Sequence, residues 1–171
     1  MGWETSSKKV CLLGDYAVGK TSLVRRYVYD NFDDKYHSTV GVNVSRKSVT
    51  IPGGGGPVAM MIWDLAGGDE FRRVRESYLR GAAGAVLVCD VSRPETVSSL
   101  RVYAGALLDI NPETQFVLAA NKSDLATPPQ ITLSEIEAAM VGLRCLIHPT
   151  SAKSGEEVDL LFHALARRLV P

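Results

Sequence analysis

The feature that most narrows the fold is the stretch GDYAVGKT, residues 14 to 21, set directly after the apolar run KKVCLL. Gly14, Gly19, Lys20 and Thr21 have the spacing G-x-x-x-x-G-K-[ST], that of a loop whose backbone N–H groups wrap a chain of phosphates. The motif requires a strand before the loop and a helix after it, because loop amides and helix N-terminus together supply partial positive charge. The strand is KKVCLLG, and a helix is expected to begin near Lys20. Small residues suit the interior of such a loop, since an inward side chain competes with the ligand. Tyr16 and Ala17 nonetheless stand in its middle.

Elsewhere short apolar runs alternate with segments of helical periodicity. The runs are KKVCLL, VAMMIWD, AGAVLVCD, QFVLAAN and LRCLIH. Several are apolar at consecutive positions, as strands covered on both faces tend to be. Residues 94 to 108 place Val97, Leu100, Ala104 and Leu107 on one helical face. Residues 155 to 169 do so with Val158, Leu161, Phe162, Leu165 and Leu169. Ser92 with Glu95, Thr132 with Glu135, and Ser154 with Glu157 each have capping-box spacing. Pro94 falls in a first turn, where its missing N–H costs little. VNVSRKSVTI alternates and is followed by PGGGGP and VAMMIWD, which predicts a hairpin with a glycine-rich tip. Apart from that hairpin the order is β-α-β, so a parallel sheet with helices on both faces is expected.

The chain has 171 residues, 46% of them hydrophobic, enough for one domain over residues 1–171 with a sizeable core. Nineteen basic residues balance nineteen acidic ones. That excludes a general attraction to nucleic acid or to an anionic membrane, and points to a local site instead. The cysteines, Cys11, Cys89 and Cys145, have no metal-binding spacing. Cys11 and Cys89 lie in apolar runs and read as small buried hydrophobes in a reducing compartment. The longest mostly apolar run, GAAGAVLVCDV, is too short to span a bilayer, and no signal peptide is evident. A cytoplasmic monomer is expected.

Within the phosphate loop, Lys20 is placed to bridge terminal phosphates and the Thr21 hydroxyl to coordinate Mg²⁺, a hard cation that takes oxygen ligands. Asp64 ends a strand in WDLAGG, where an acid can hold a magnesium-bound water, and the Gly67 N–H can approach a terminal phosphate. On its own that pair is also ordinary turn chemistry. NKSD, residues 121 to 124, ends the strand QFVLAA, and TSAK, residues 150 to 153, follows the strand ending near His148. Either could be a plain loop. Together, at the same sheet edge as the phosphate loop, they make a base pocket. Asp124 can accept from N1–H and the exocyclic N2–H₂ of guanine. Adenine offers neither donor and would leave a covered Asp124 unpaired, a mismatch worth about 10⁴ or more in discrimination. The Lys122 stem can lie along the base, and the Ala152 N–H can point at O6.

GDYAVGKT, Thr39, WDLAGG, NKSD and SAK, in this order and spacing, resemble the small GTPases of the Ras superfamily over about Lys8 to Leu169. GDYAVGKTSLVRRYV and YHSTVGV look most like the Rab branch. The resemblance implies the P-loop GTPase fold, a mostly parallel six-stranded sheet with one antiparallel hairpin. It implies that GTP and GDP are held by Gly14, Asp15, Tyr16, Ala17, Val18, Gly19, Lys20, Thr21 and Ser22. Phe32 would pack edge-on to the base, Tyr36 would lie over the phosphates, and Asn121 would tie the base loop to the phosphate loop. Lys122, Asp124, Ser151, Ala152 and Lys153 would surround the base. Thr39 would be the switch threonine, its hydroxyl on Mg²⁺ with Thr21 and Asp64 and its N–H, like that of Gly67, on the γ-phosphate. Lys20, Thr39, Gly67 and the Gly68 position would carry the catalysis. Residues 31–41 and 65–76 would be the switches that meet effector, exchange factor and activating protein.

Two departures stand out. The family usually has glutamine after the AG of its third motif, where it orients the attacking water. Here that position is Gly68. Tyr16 occupies a position where the family has glycine or another small residue, facing the γ-phosphate and the room an arginine finger uses. Both changes imply slow hydrolysis, unless Tyr16 swings outward onto a switch or Asp69 or Glu70 substitutes after a one-residue shift. A non-cycling nucleotide-binding interaction module is the alternative. A P-loop ATPase or kinase is a third reading, which NKSD argues against. No cysteine follows Cys145, so no prenylation site is expected. MGWETS fits the loose M-G-x-x-x-[ST] pattern for myristoylation of Gly2.

Overall fold

The computed structural model describes residues 5–35, 38–54, 56–125 and 128–171, with only the backbone of residues 74 and 75. Tyr36, one of the expected nucleotide contacts, and Gly2 lie outside the described residues. Strand β1 (Ser6–Leu13) runs into the glycine loop and helix α1 (Lys20–Tyr29). Strands β2 (Val42–Thr50) and β3 (Pro57–Leu65) follow, then α2 (Gly68–Leu79) and β4 (Ala82–Asp90). The rest is α3 (Glu95–Ser98), α4 (Leu100–Ile110), β5 (Gln115–Asn121), α5 (Leu133–Ala139), β6 (Cys145–Pro149) and α6 (Val158–Arg168).

The six strands lie in the order β2-β3-β1-β4-β5-β6. Only β2 and β3 are antiparallel, paired from Val42 opposite Leu65 to Thr50 opposite Pro57. The remaining pairs are parallel, as right-handed β-α-β crossovers dictate. The P-loop GTPase architecture expected from the motifs is therefore the one observed.

A strand buried on both faces sends alternate residues to opposite sides, and β1 does so. Val10 and Leu12 join one core with Leu23, Tyr27 and Phe162 of α1 and α6. Cys11 and Leu13 join the other with Phe71, Leu100 and Leu107 of α2 and α4. Cys11 and Cys89 are fully buried free thiols, pushed up to about 12 by desolvation.

Three local expectations meet different outcomes. Thr132 and Glu135 form the capping box, each side chain satisfying the other residue's backbone N–H. Ser92 does not cap: its hydroxyl donates to buried Asp90 at 2.6 Å, because a carboxylate in the interior is the more demanding acceptor. The single helix expected over 94 to 108 is consequently entered at Glu95 and interrupted at Ser99. Ser154 does not cap α6 either, since its hydroxyl accepts from Glu156 N at 3.2 Å. Glu157, left-handed at φ 55°, precedes a helix that starts at Val158 rather than residue 155, with its carboxylate on His148.

Candidate functional site

A cleft of about 430 Å³ opens where the loops leave the carboxyl ends of β1, β3, β5 and β6, within the size range of small-ligand sites. One wall is the phosphate loop, with Tyr16, Ala17, Gly19, Lys20, Thr21 and Ser22. The opposite end carries Asn121, Lys122, Asp124, Ala152 and Lys153. Phe32, Thr39 and Gly67 contribute from the two switch segments. The remaining expected residues stand behind this lining. Gly14, Val18 and Ser151 are buried in its support, Asp64 lies beneath it, and Gly68 does not line it among the described residues.

The loop's glycines are dictated by close approach. A Cβ on Gly14 would run into the Val88 carbonyl, and one on Gly19, at φ 102°, into the Asn121 amide. Ala17 takes a left-handed φ of 61° without being glycine, which costs about 1–2 kcal/mol. Helix α1 begins at Lys20 with no side-chain cap, so its first N–H groups remain directed at the cleft. Lys20 is buried and donates to the carbonyls of Gly14 and Asp15, each at 2.8 Å. Desolvation lowers its ammonium to about 8, against the pull of Asp64 and Asp15.

Thr21 Oγ1 stands 2.6 Å from Thr39 Oγ1 and donates to Asp64 Oδ2 at 2.5 Å. Asp64 is buried, and desolvation raises its carboxyl despite the Thr21 hydroxyl and Lys20. Its second oxygen, Oδ1, is buried without a hydrogen-bond partner among the described residues. Two hydroxyls beside an orphaned carboxylate oxygen suit a hard divalent cation. Among the described residues no cluster of three His, Cys, Asp or Glu side chains exists. A cation here would thus complete its shell with water and phosphate, as Mg²⁺ does.

At the base end, Asn121 Nδ2 donates to the Val18 carbonyl at 2.9 Å, and Thr150 Oγ1 donates to Asn121 Oδ1 at 3.0 Å. Asp124 is exposed at the rim, with Ser151 Oγ donating to its Oδ1 at 2.7 Å. Lys122, left-handed at φ 65°, donates to the Ala17 carbonyl at 2.7 Å and pairs with Asp90 at 2.9 Å.

Several supporting residues escape a motif-based reading. Burial alone would raise the Asp90 carboxyl, but Ser92 and Lys122 outweigh it and hold it below its ordinary range. Its only sequence signal was an acid ending an apolar strand. Arg26 of α1 donates to the carbonyls of Ala152 (2.8 Å) and Lys153 (2.6 Å), pinning the SAK loop. Arg93 donates to the Tyr16 carbonyl at 3.0 Å, and Tyr16, at 54% exposure, is one of the residues that border the cleft. Glu70 also lines the cleft and accepts from Gly41 N at 2.7 Å, joining the switch segments. The Asp15 carboxylate turns to α4, where Ser99 and Tyr103 hold it. No sequence pattern marked those two.

Comparison with known proteins agrees with this architecture. A Ras family model matches residues 9–170. The chain is 34% identical to the Ras-related protein Rab-31 of Homo sapiens over 164 residues, 95% of this chain and 83% of that protein. It is 34% identical to Rab-22A of Homo sapiens over 94% of the chain and 82% of that protein. The same identity holds to the Ras-related protein SEC4 of Saccharomyces cerevisiae, over 95% of the chain and 74% of that protein. With phosphate loop, base-end loops and switch segments converging on one cleft, the chain belongs to the Ras superfamily of small GTPases, in its Rab branch.

Proposed function

We propose that this GTPase is a guanine-nucleotide switch whose GTP state is long-lived because its own hydrolysis is slow. The observation that carries this reading is the pairing of Gly68, which offers no side chain to hold an attacking water, with Tyr16 in the cleft wall. Losing one preorganised group typically costs about 10² to 10³ in rate. An arginine finger, worth about 10³ to 10⁵, would also have to share space with the Tyr16 ring.

The phosphates lie along residues 14 to 22 with Lys20 across the terminal ones. The guanine lies between Phe32 and Lys122 against Asp124, Ala152 and Lys153. Lys20 exchanges its two backbone partners for phosphate oxygens. Thr21 and Thr39 would hold Mg²⁺ directly and Asp64 would hold it through water, and the ion would supply positive charge against the terminal phosphates. The N–H groups of Thr39 and Gly67 reach the γ-phosphate and order residues 31–41 and 65–76, which then present an effector surface that includes exposed Val40. Glu70, held by Gly41 N, is engaged in joining the switches rather than in replacing the glutamine.

A non-cycling nucleotide-binding module is the second reading, favoured by the same Gly68. Single-turnover measurement with purified protein, GTP and magnesium separates the two, since only a switch yields GDP and phosphate. Base specificity is tested by competition: GTP and GDP displace a bound fluorescent GDP, whereas ATP at equal concentration does not. Asp124→Asn exchanges an acceptor for a donor, and its preference should move toward xanthine nucleotides. Equal binding of ATP by the wild type would overturn the base-pocket assignment.

A further inference from the structure

Tyr103 of α4 joins two parts of the cleft that the sequence separates. Its hydroxyl donates to Asp15 Oδ1 of the phosphate loop at 2.9 Å and accepts from the Gly68 N–H, the first residue of α2, at 3.1 Å. The ring is buried and packs edge-on against Phe71 of α2, with centroids 4.9 Å apart. Ser99 Oγ donates to the other Asp15 oxygen at 2.7 Å. Both oxygens of the Asp15 carboxylate are thus held at the start of α4.

This bridge lies where α2 and the phosphate loop come closest. A Cβ on Gly67 would stand 2.5 Å from the Gly14 carbonyl oxygen and 2.9 Å from Tyr16 N, so the backbone at Gly67 rests directly on the loop. Gly68 is left-handed at φ 66°, and among the described residues nothing lies within 4 Å of where its Cβ would stand. The Tyr103 hydroxyl is what anchors its amide. Burial, with Asp15 adding to it, pushes the phenol up to about 12, so the proton that Asp15 accepts stays on the oxygen at neutral pH.

We infer that Tyr103 is a positioning residue for γ-phosphate recognition: through Asp15 and Gly68 it locks the start of α2 to the phosphate loop, so that the neighbouring Gly67 N–H is in place before GTP arrives. The inference rests on the proposed nucleotide reading and deepens it. GDP has no group for Gly67 to meet, so the lock matters to the triphosphate alone.

Tyr103→Phe keeps the ring against Phe71 and removes only the hydroxyl. Its affinity for guanylyl imidodiphosphate should fall about three- to ten-fold, the factor one hydrogen bond is worth, while GDP affinity stays within about two-fold. Ser99→Ala removes the other donor to Asp15 without touching Gly68, and should leave the ratio of the two affinities unchanged. An equal loss for both nucleotides in Tyr103→Phe overturns the inference, as does the same ratio change in Ser99→Ala. Amide hydrogen exchange on the wild-type protein judges it without any variant. The Gly68 amide should be protected relative to Asp69, and an unprotected Gly68 amide overturns the lock. If the wild type binds neither nucleotide, the nucleotide reading itself fails, and the exchange result still decides whether Tyr103 holds Gly68.

Discussion

Gly68 has a left-handed backbone and open space around its Cβ direction. The first carbon of a glutamine there would meet nothing among the described residues but would carry a backbone penalty of about 1 kcal/mol or more. Gly68→Gln alone should therefore restore little hydrolysis, with Tyr16 still in the cleft wall. If the Tyr16 ring fills the room that a glutamine at 68 needs for water, the pair Tyr16→Gly with Gly68→Gln should restore more than the two single changes combined. Single-turnover rates of the four proteins decide this, and strictly additive effects would show that the tyrosine points elsewhere. Thr21 makes a second residue-level case. Its hydroxyl stands between Thr39 and Asp64, 2.6 Å and 2.5 Å away. Thr21→Asn should weaken binding of a GTP analogue more than binding of GDP, since the γ-phosphate complex leans harder on the cation. Equal weakening in a titration with both nucleotides would count against Thr21 as a metal ligand.

At the scale of elements, the two ends of the cleft are built differently. The phosphate end is one continuous piece, β1 into loop into α1, whose carbonyls at Tyr16, Ala17 and Val18 are tied down by Arg93, Lys122 and Asn121 respectively. The base end is assembled from loops after β5 and β6 and is braced from outside, by Arg26 of α1 on residues 152 and 153 and by Asp90 of β4 on Lys122. Helix α5 stands apart from both. It is a short helix whose start depends on the Thr132–Glu135 box and whose buried anchor is Ile136. Thr132→Ala should cost about 1 kcal/mol, the usual worth of such a cap, in urea unfolding. Nucleotide affinity should not change, since α5 lines no part of the cleft.

For the whole molecule, one sheet serves two cores, so neither face can unfold while the other keeps its strands. The core shared by α1 and α6 has the stacked pair Tyr27 and Phe162 at its centre, with ring centroids 4.1 Å apart and planes 4° from parallel. Phe162 is fully buried. Phe162→Ala should cost about 3–5 kcal/mol, through lost transfer energy and the cavity left beside Tyr27. Near-ultraviolet and far-ultraviolet circular dichroism should still report a single shared transition in urea. Separate midpoints would show that the two faces fold independently. Among the described residues no helix is long and apolar enough to cross a membrane.

The alternation of strands and helices, the hairpin with its glycine tip, and the motif loops that converge on the cleft were legible in sequence because each is written in consecutive residues. A buried strand needs an apolar run and a tight loop needs glycines where other backbone closes in, whereas α1, α2, α3, α4 and α6 start with no side-chain cap to read. What the sequence left open was which partner a polar side chain takes when several compete. Ser92 and Ser154 had capping spacing, yet one went to buried Asp90 and the other turned back on Glu156. Tyr103 carried no mark in the sequence, yet it meets Asp15, 88 positions away. Asp15 and Tyr16 sit side by side in the loop, but the Asp15 carboxylate turns to Tyr103 while Tyr16 borders the cleft. Periodicity and local chemistry settled the strands, but left α2 unmarked and misplaced the starts of two later helices. The pairing of buried polar groups was decided only by tertiary structure, because desolvation makes each such group take whichever donor or acceptor the packed fold brings within about 3 Å.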